Sequence, residues 1–196
     1  MSRFIILLQY RKVIASALLL CVLIVTFCTS GCHKEDEVIS PDQNRCPIFM
    51  GNLAKGFDMG VNTSGGLTNW VTVDTSVIEM SYPAGQTWGA VFITVGEPTI
   101  PPRPGRDLSR FSELVLELCG GQGNETVWIG VKDNTDPDDG SEARVKIYGI
   151  GTDWEEHVLP LSQFYTAKFE SIYVPIEFVF DGGVKTVRAR NIEYRH

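Results

Sequence analysis

From Pro47 to the C-terminus no long uninterrupted pattern survives: short runs rich in Val, Ile, Phe and Thr are cut repeatedly by Gly, Pro, Asn and Asp. Such punctuation leaves room for short strands and for little else. Strand-like runs fall at 70–73, 77–82, 88–95, 113–118, 126–133, 143–150, 155–159, 171–180 and 184–194. Only 108–111 and 161–165 read as short helical pieces, and the Pro-rich stretch 96–111 reads as a long loop. Many strands with almost no helix predict an all-β fold, an antiparallel β-sandwich in which each strand buries one face.

Two of these runs make a hairpin, "ETVWIGVKDNTDPDDGSEARVKIYG", from Glu125 to Gly149. If Val127, Ile129 and Val131 share the core face with Ala143, Val145 and Ile147, the numbers of opposed residues must sum to an even number. Trp128, Gly130 and Lys132 then stand beside Arg144, Lys146 and Tyr148 on the other face. Setting Trp128 opposite Lys146 and Lys132 opposite Glu142 keeps like charges apart, and this is the register expected.

That second face suits a sugar. Pyranose rings present C–H patches that stack on aromatic planes, while their hydroxyls need donors and acceptors nearby. Trp128 and Tyr148 fit as platforms, and Lys132, Arg144 and Lys146 fit as contacts to hydroxyls or to an acidic sugar. Gly130 leaves a notch between them. Trp88 and Phe92 extend the surface, because Val91, Ile93 and Val95 make the better core face of their strand. The competing expectation is that loops cover this face and that Trp128 and Tyr148 only pack.

Other features are assigned more simply. The acidic tip with Asp133, Asp136, Asp138 and Asp139 lacks the spacing of an EF-hand loop and reads as a turn. Trp154 reads as a core or edge-packing residue, and Trp70 has no assignment. A net charge of −7, with no basic block, argues against nucleic acid as a partner. Glycoside hydrolysis needs two converging carboxylates. Asp153, Glu155, Glu156 and Glu177 are present, but no pairing among them can be read. His157 is the one histidine inside the domain, and it reads as a surface or edge residue. A non-catalytic protein is expected.

The N-terminus carries Arg3, Arg11 and Lys12, an apolar run over 13–27, then small residues ending at Cys32. A run of about 15 residues is short for a membrane span and right for a signal-peptide core. The ending "TSGC" resembles a bacterial lipoprotein signal, which implies cleavage after residue 31 and a lipid on Cys32. The following "HKEDE" resembles the surface-export signal of Bacteroidetes lipoproteins. Residues 1–31 are therefore expected to be a signal peptide, 32–46 a lipidated, polar tether and 47–196 the folded domain. That arrangement implies an outer-membrane lipid anchor in the cell envelope, with surface display. Cys21 and Cys28 leave with the signal. Cys46 and Cys119 remain, with a disulfide between them left open.

Within the domain, "YPAGQTWGAVFITV", "DLSRFSELVLELCGG", "VWIGVKD", "TDWEEHVLPLSQF" and "VFDGGVKTVRARNIEYR" follow one another. This order resembles the galactose-binding-like jelly-roll superfamily and, within it, the carbohydrate-binding modules of bacterial glycan-degrading enzymes. The resemblance covers 49–196. It implies a non-catalytic module that holds poly- or oligosaccharide near the cell surface. Members of the superfamily often hold a structural calcium, and Asp58 with Asn191 or Glu193 stands where that ion would be expected. A protein-interaction or structural subunit using the same sandwich face is the alternative, and a glycoside-active enzyme the third reading.

Overall fold

A computed structural model describes residues 44–63 and 65–196. The expected signal peptide, Cys32 and the expected tether up to residue 43 lie outside the described residues. Among the described residues, eleven strands form two antiparallel sheets. The first contains β3 (Val71–Val73), β4 (Ile78–Tyr82), β11 (Lys185–Arg195), β6 (Glu113–Gly120) and β9 (Glu155–Pro160), in that order. β1 (Arg45–Phe49) pairs with the second half of β11, beyond the end of β4. The second sheet runs β2 (Phe57–Asn62), β5 (Trp88–Val95), β10 (Ile172–Asp181), β7 (Glu125–Asp133) and β8 (Ala143–Ile150).

Alternation builds the core from both sheets. Ile78, Met80 and Tyr82 of β4 and Leu114, Leu116 and Leu118 of β6 are fully buried, as are Val127, Ile129 and Val131 of β7. Each such side chain contributes about 1.5–3 kcal/mol on leaving water. Trp70 belongs here: its ring meets Tyr82 and Phe180 edge-on at 5.4 Å, and its Nε1 donates to Leu67 O at 2.7 Å. β10 is buried on both faces as far as Phe180, consistent with its central place in the second sheet.

All nine expected strands form, and two more appear. β1 starts at Arg45, so the sandwich reaches two residues into the segment read as a tether. The expected helix at 108–111 is a turn, while 161–165 contains a 3₁₀ turn at Leu161–Gln163. A second 3₁₀ turn spans Phe169–Ser171.

Cys46 and Cys119 are separate, buried thiols. Cys46 pairs across from Tyr194 and Cys119 across from Arg188, six residues along β11. That is roughly 20 Å of strand, whereas a disulfide needs Cα atoms within about 7 Å.

The outer face of the first sheet is a solvated ladder of ion pairs: Arg188 with Glu79, Arg190 with Glu117, and Arg195 with Glu156. Trp154 lies against this face, with the Arg190 guanidinium 4.1 Å from its ring centroid, so its packing role holds.

Candidate functional site

The register of the second sheet fixes what its outer face presents. Trp128 opposes Lys146, and Gly130 opposes Arg144, so the expected hairpin register is the one observed. Continuing across the sheet, Trp128 meets Val179, then Ala90, then Asn62. The neighbouring row runs Arg144, Gly130, Glu177, Phe92 and Gly60. Beyond the other side, Asp181 opposes Trp88.

A groove of about 520 Å³ lies on this face. Trp88, Ala90 and Phe92 of β5 line it together with Asn62. Facing them are Lys132, Arg144 and Glu177, and loops supply Pro98, Arg103 and Asp138. Apolar rings on one side and polar groups on the other follow from alternation on β5, β7 and β8.

The groove is stiffened from below. Glu177 is only 7% exposed, and its carboxylate fills the space above Gly130 where a side chain would otherwise stand. The notch expected at Gly130 is therefore occupied. Arg144 Nε donates to Glu177 Oε1 at 3.4 Å, and the same guanidinium pairs with Glu142. Burial pushes the Glu177 carboxyl above its ordinary range, partly offset by Arg144 and Lys132. On β2, a β-carbon at Gly60 would fall 2.5 Å from the Phe92 ring, so only glycine lets that ring lie flat there.

The hairpin tip is a folded wall of the groove. Asp133, fully buried, accepts from Thr135 N at 2.8 Å, Thr135 Oγ1 at 2.6 Å and Lys168 N at 3.2 Å. Asp138 pairs with Lys132 Nζ at 2.7 Å and with Arg103. Arg103 also donates from Nη1 to Asp136 O at 2.8 Å, and its guanidinium lies 5.1 Å from the Tyr173 ring centroid. Asp138 is held below the usual carboxylate range, first by the Lys132 hydrogen bond. The tip is a turn, as expected: Asp138 pairs with two of the protein's own cations, and Asp133, Asp136 and Asp139 accept from N–H and hydroxyl groups of the tip and its surroundings.

Among the residues expected to contact sugar, Trp88, Lys132 and Arg144 line the groove. Trp128, Lys146 and Tyr148 form a second cluster on the same face. Lys146 Nζ lies 4.8 Å from the Trp128 ring centroid and 5.5 Å from that of Tyr148. Trp128 Nε1 donates to Asp181 Oδ2 at 3.0 Å, and Tyr148 is 70% exposed. Trp128 is thus half-buried and already engaged, while Tyr148 stands free of cover by loops. Asn62, Arg103, Asp138, Tyr173 and Glu177 escaped the sequence reading of this face. Only Glu177 left a signal there, as a lone charge inside the apolar run "YVPIEFVF".

The three residues expected around an ion are not gathered into one site. Asp58 lies on β2 of the second sheet, with its Oδ1 accepting from Met59 N at 2.8 Å. Asn191 and Glu193 lie on β11 of the first sheet. Asn191 sits at a bulge with φ 51° and donates to Glu117 Oε1 at 2.6 Å. Glu193 pairs with Arg45 and with Arg195 at 2.7 Å, cations that compete with any metal for its oxygens. Among the described residues no three His, Cys, Asp or Glu side chains gather in a way that could hold a metal ion.

No family model and no curated protein matches the chain. Solved structures do. A family 30 carbohydrate-binding module is similar at a TM-score of 0.53 and 14% identity, covering 79% of this chain and 88% of that one. A family 29 module complexed with mannohexaose gives 0.51 and 14%, covering 76% and 89%. The same family 29 module with a different substitution, complexed with cellulohexaose, gives 0.50 and 15% over the same shares. At these identities the likeness is one of fold, and the fold is the β-sandwich of carbohydrate-binding modules.

Proposed function

We propose that this chain is a non-catalytic glycan-binding module whose ligand lies in the groove on the outer face of the second sheet. One observation above all supports this: Trp88 and Phe92 form an apolar side facing the donors and acceptors of Lys132, Arg144 and Asp138. Sugar rings stack on the first, and their hydroxyls bond to the second. The fold shared with modules solved in complex with mannohexaose and cellulohexaose is consistent with this use. Glu142, Glu177 and Asp138 are each tied to a cation, an arrangement suited to fixed hydrogen bonding rather than to proton transfer.

The same proposal includes a lipid on Cys32 that holds the module at the cell envelope. Mass spectrometry of the mature N-terminus tests it: a diacylglyceryl group on Cys32 is expected, and a free thiol there would refute it. For glycan binding, the full chain is run through gels containing soluble glucomannan or β-glucan. Retardation is expected, with loss in Trp88→Ala. Unretarded migration through every polysaccharide gel would overturn the glycan assignment.

A further inference from the structure

Taken from the sequence, Lys132 and Arg144 invite an acidic sugar, and the structure adds Arg103 to the same groove. Their pairing points the other way. Side chains of Arg103 and Lys132 are 3% and 9% exposed, and both converge on the one carboxylate of Asp138, which is itself 70% exposed. Arg144 is shared between Glu142 and Glu177. Three cations therefore face four carboxylates, those of Asp138, Asp139, Glu142 and Glu177.

We infer that Asp138 makes the groove selective for uncharged glycans, by occupying the two buried cations that would otherwise receive a uronate. The inference rests on the glycan-binding function proposed above and defines its ligand class. A buried cation left without a counter-charge is strongly unfavourable, so some anion must sit where Asp138 sits. The protein supplies that anion from its own hairpin tip. A sugar carboxylate entering the groove meets no unpaired cation and an excess of negative charge, which disfavours it. Hydroxyls face no such barrier. An ammonium has three donors and a guanidinium five, so Lys132 and Arg103 keep N–H groups for a neutral sugar after pairing with Asp138. The exposed Asp138 carboxylate accepts from hydroxyls as well.

The test uses the full chain in gels containing glucomannan, as the neutral probe, or polygalacturonate, as the acidic one, at low and at physiological salt. Wild type should be retarded by glucomannan and not by polygalacturonate. Asp138→Ala opens Arg103 and Lys132 to the groove and should gain polygalacturonate affinity about tenfold, as expected for one new charge-assisted contact. That gain should fade with salt. Asp139→Ala is the charge-matched control: Asp139 lines the same groove but accepts from Ser141 N at 3.0 Å, so its removal lowers the negative charge yet frees neither cation and should give a clearly smaller gain. Wild-type retardation by polygalacturonate equal to that by glucomannan would overturn the inference, whatever the variants do. An equal gain in both variants, or none in a folded Asp138→Ala that still binds glucomannan, would also overturn it and leave glycan binding intact. If neither probe retards any form, glycan binding and its selectivity fall together.

Discussion

The carboxylate of Glu177 occupies the space that a side chain at Gly130 would need, with Arg144 closing over it from β8. The two residues are opposed across the β10–β7 pair, so this contact is set by register. Gly130→Ala should force the carboxylate out of its seat and break its bond to Arg144. Overpacking of this kind costs about 1–3 kcal/mol. A urea unfolding curve checks it, and an unchanged midpoint would mean that Glu177 has other room to move.

The same carboxylate predicts a pH dependence. Burial raises the Glu177 carboxyl above its ordinary value of 4.5. The folded protein therefore holds this proton at pH values where the unfolded chain has lost it. Stability from this group is complete below about pH 4.5 and is lost as pH rises through the folded value. Glu177→Gln abolishes that loss. The variant's melting temperature relative to wild type should be higher at about pH 7 than at about pH 4. Equal differences at the two pH values would contradict the raised value.

Asp133 behaves in the opposite sense. Its burial alone would raise the carboxyl, but the Thr135 hydrogen bonds, then the one from Lys168 N and the Lys168 charge, outweigh this and hold it below its ordinary 3.8. Its contribution is present above about pH 3.8 and is lost as pH falls through the lowered value. Asp133→Ala leaves buried donors unmet and should cost about 1–3 kcal/mol at neutral pH. In urea unfolding the difference from wild type should narrow on acidification. A difference that stayed constant down to about pH 2 would contradict this ionised cap.

The two cysteines of the sandwich give a chemical check. Burial pushes the Cys46 thiol up, so it is both covered and protonated. In native protein, peptides carrying Cys46 and Cys119 should escape alkylation, and denaturant should expose both. Reducing agent should leave the melting temperature unchanged. A Cys46–Cys119 linked peptide in mass spectrometry would contradict the separation of the two thiols along β11.

What the sequence disclosed follows the range of each interaction. The β7–β8 register was legible because parity and the avoidance of opposed like charges decide it within one hairpin, and Trp128 does oppose Lys146. β1 was missed because Pro47 interrupts a strand that has only one neighbour, β11, where its missing N–H is tolerated at an irregular register. β2 was missed because Asp58 and Gly60 weaken the strand pattern, although Gly60 is the residue that makes room for Phe92. Arg103 and Asp138 come together from loops far apart in sequence. No periodicity encodes that meeting. The placement of β10 between β5 and β7 likewise decides that Glu177, rather than Gly130, shapes the groove floor.

The two aromatic clusters of this face should differ in function. Trp88 and Phe92 line the groove and alternate with the small Ala90, which leaves their rings accessible to a ligand between them. Trp128 is held by Asp181 through its Nε1 and covered by Lys146, and Tyr148 is the exposed ring of this cluster. Removing an aromatic contact and its buried area is worth about tenfold or more in affinity. Trp88→Ala and Phe92→Ala should each lower glycan affinity by that amount in isothermal titration with a soluble oligosaccharide. Gly60→Ala should lower it less, by lifting the Phe92 ring from its seat. Tyr148→Ala should stay within about 0.5 kcal/mol of wild-type stability, so any affinity it loses reports a direct contact. Should Tyr148→Ala weaken binding more than Trp88→Ala, the ligand runs over the hairpin cluster, and the groove is not its main seat.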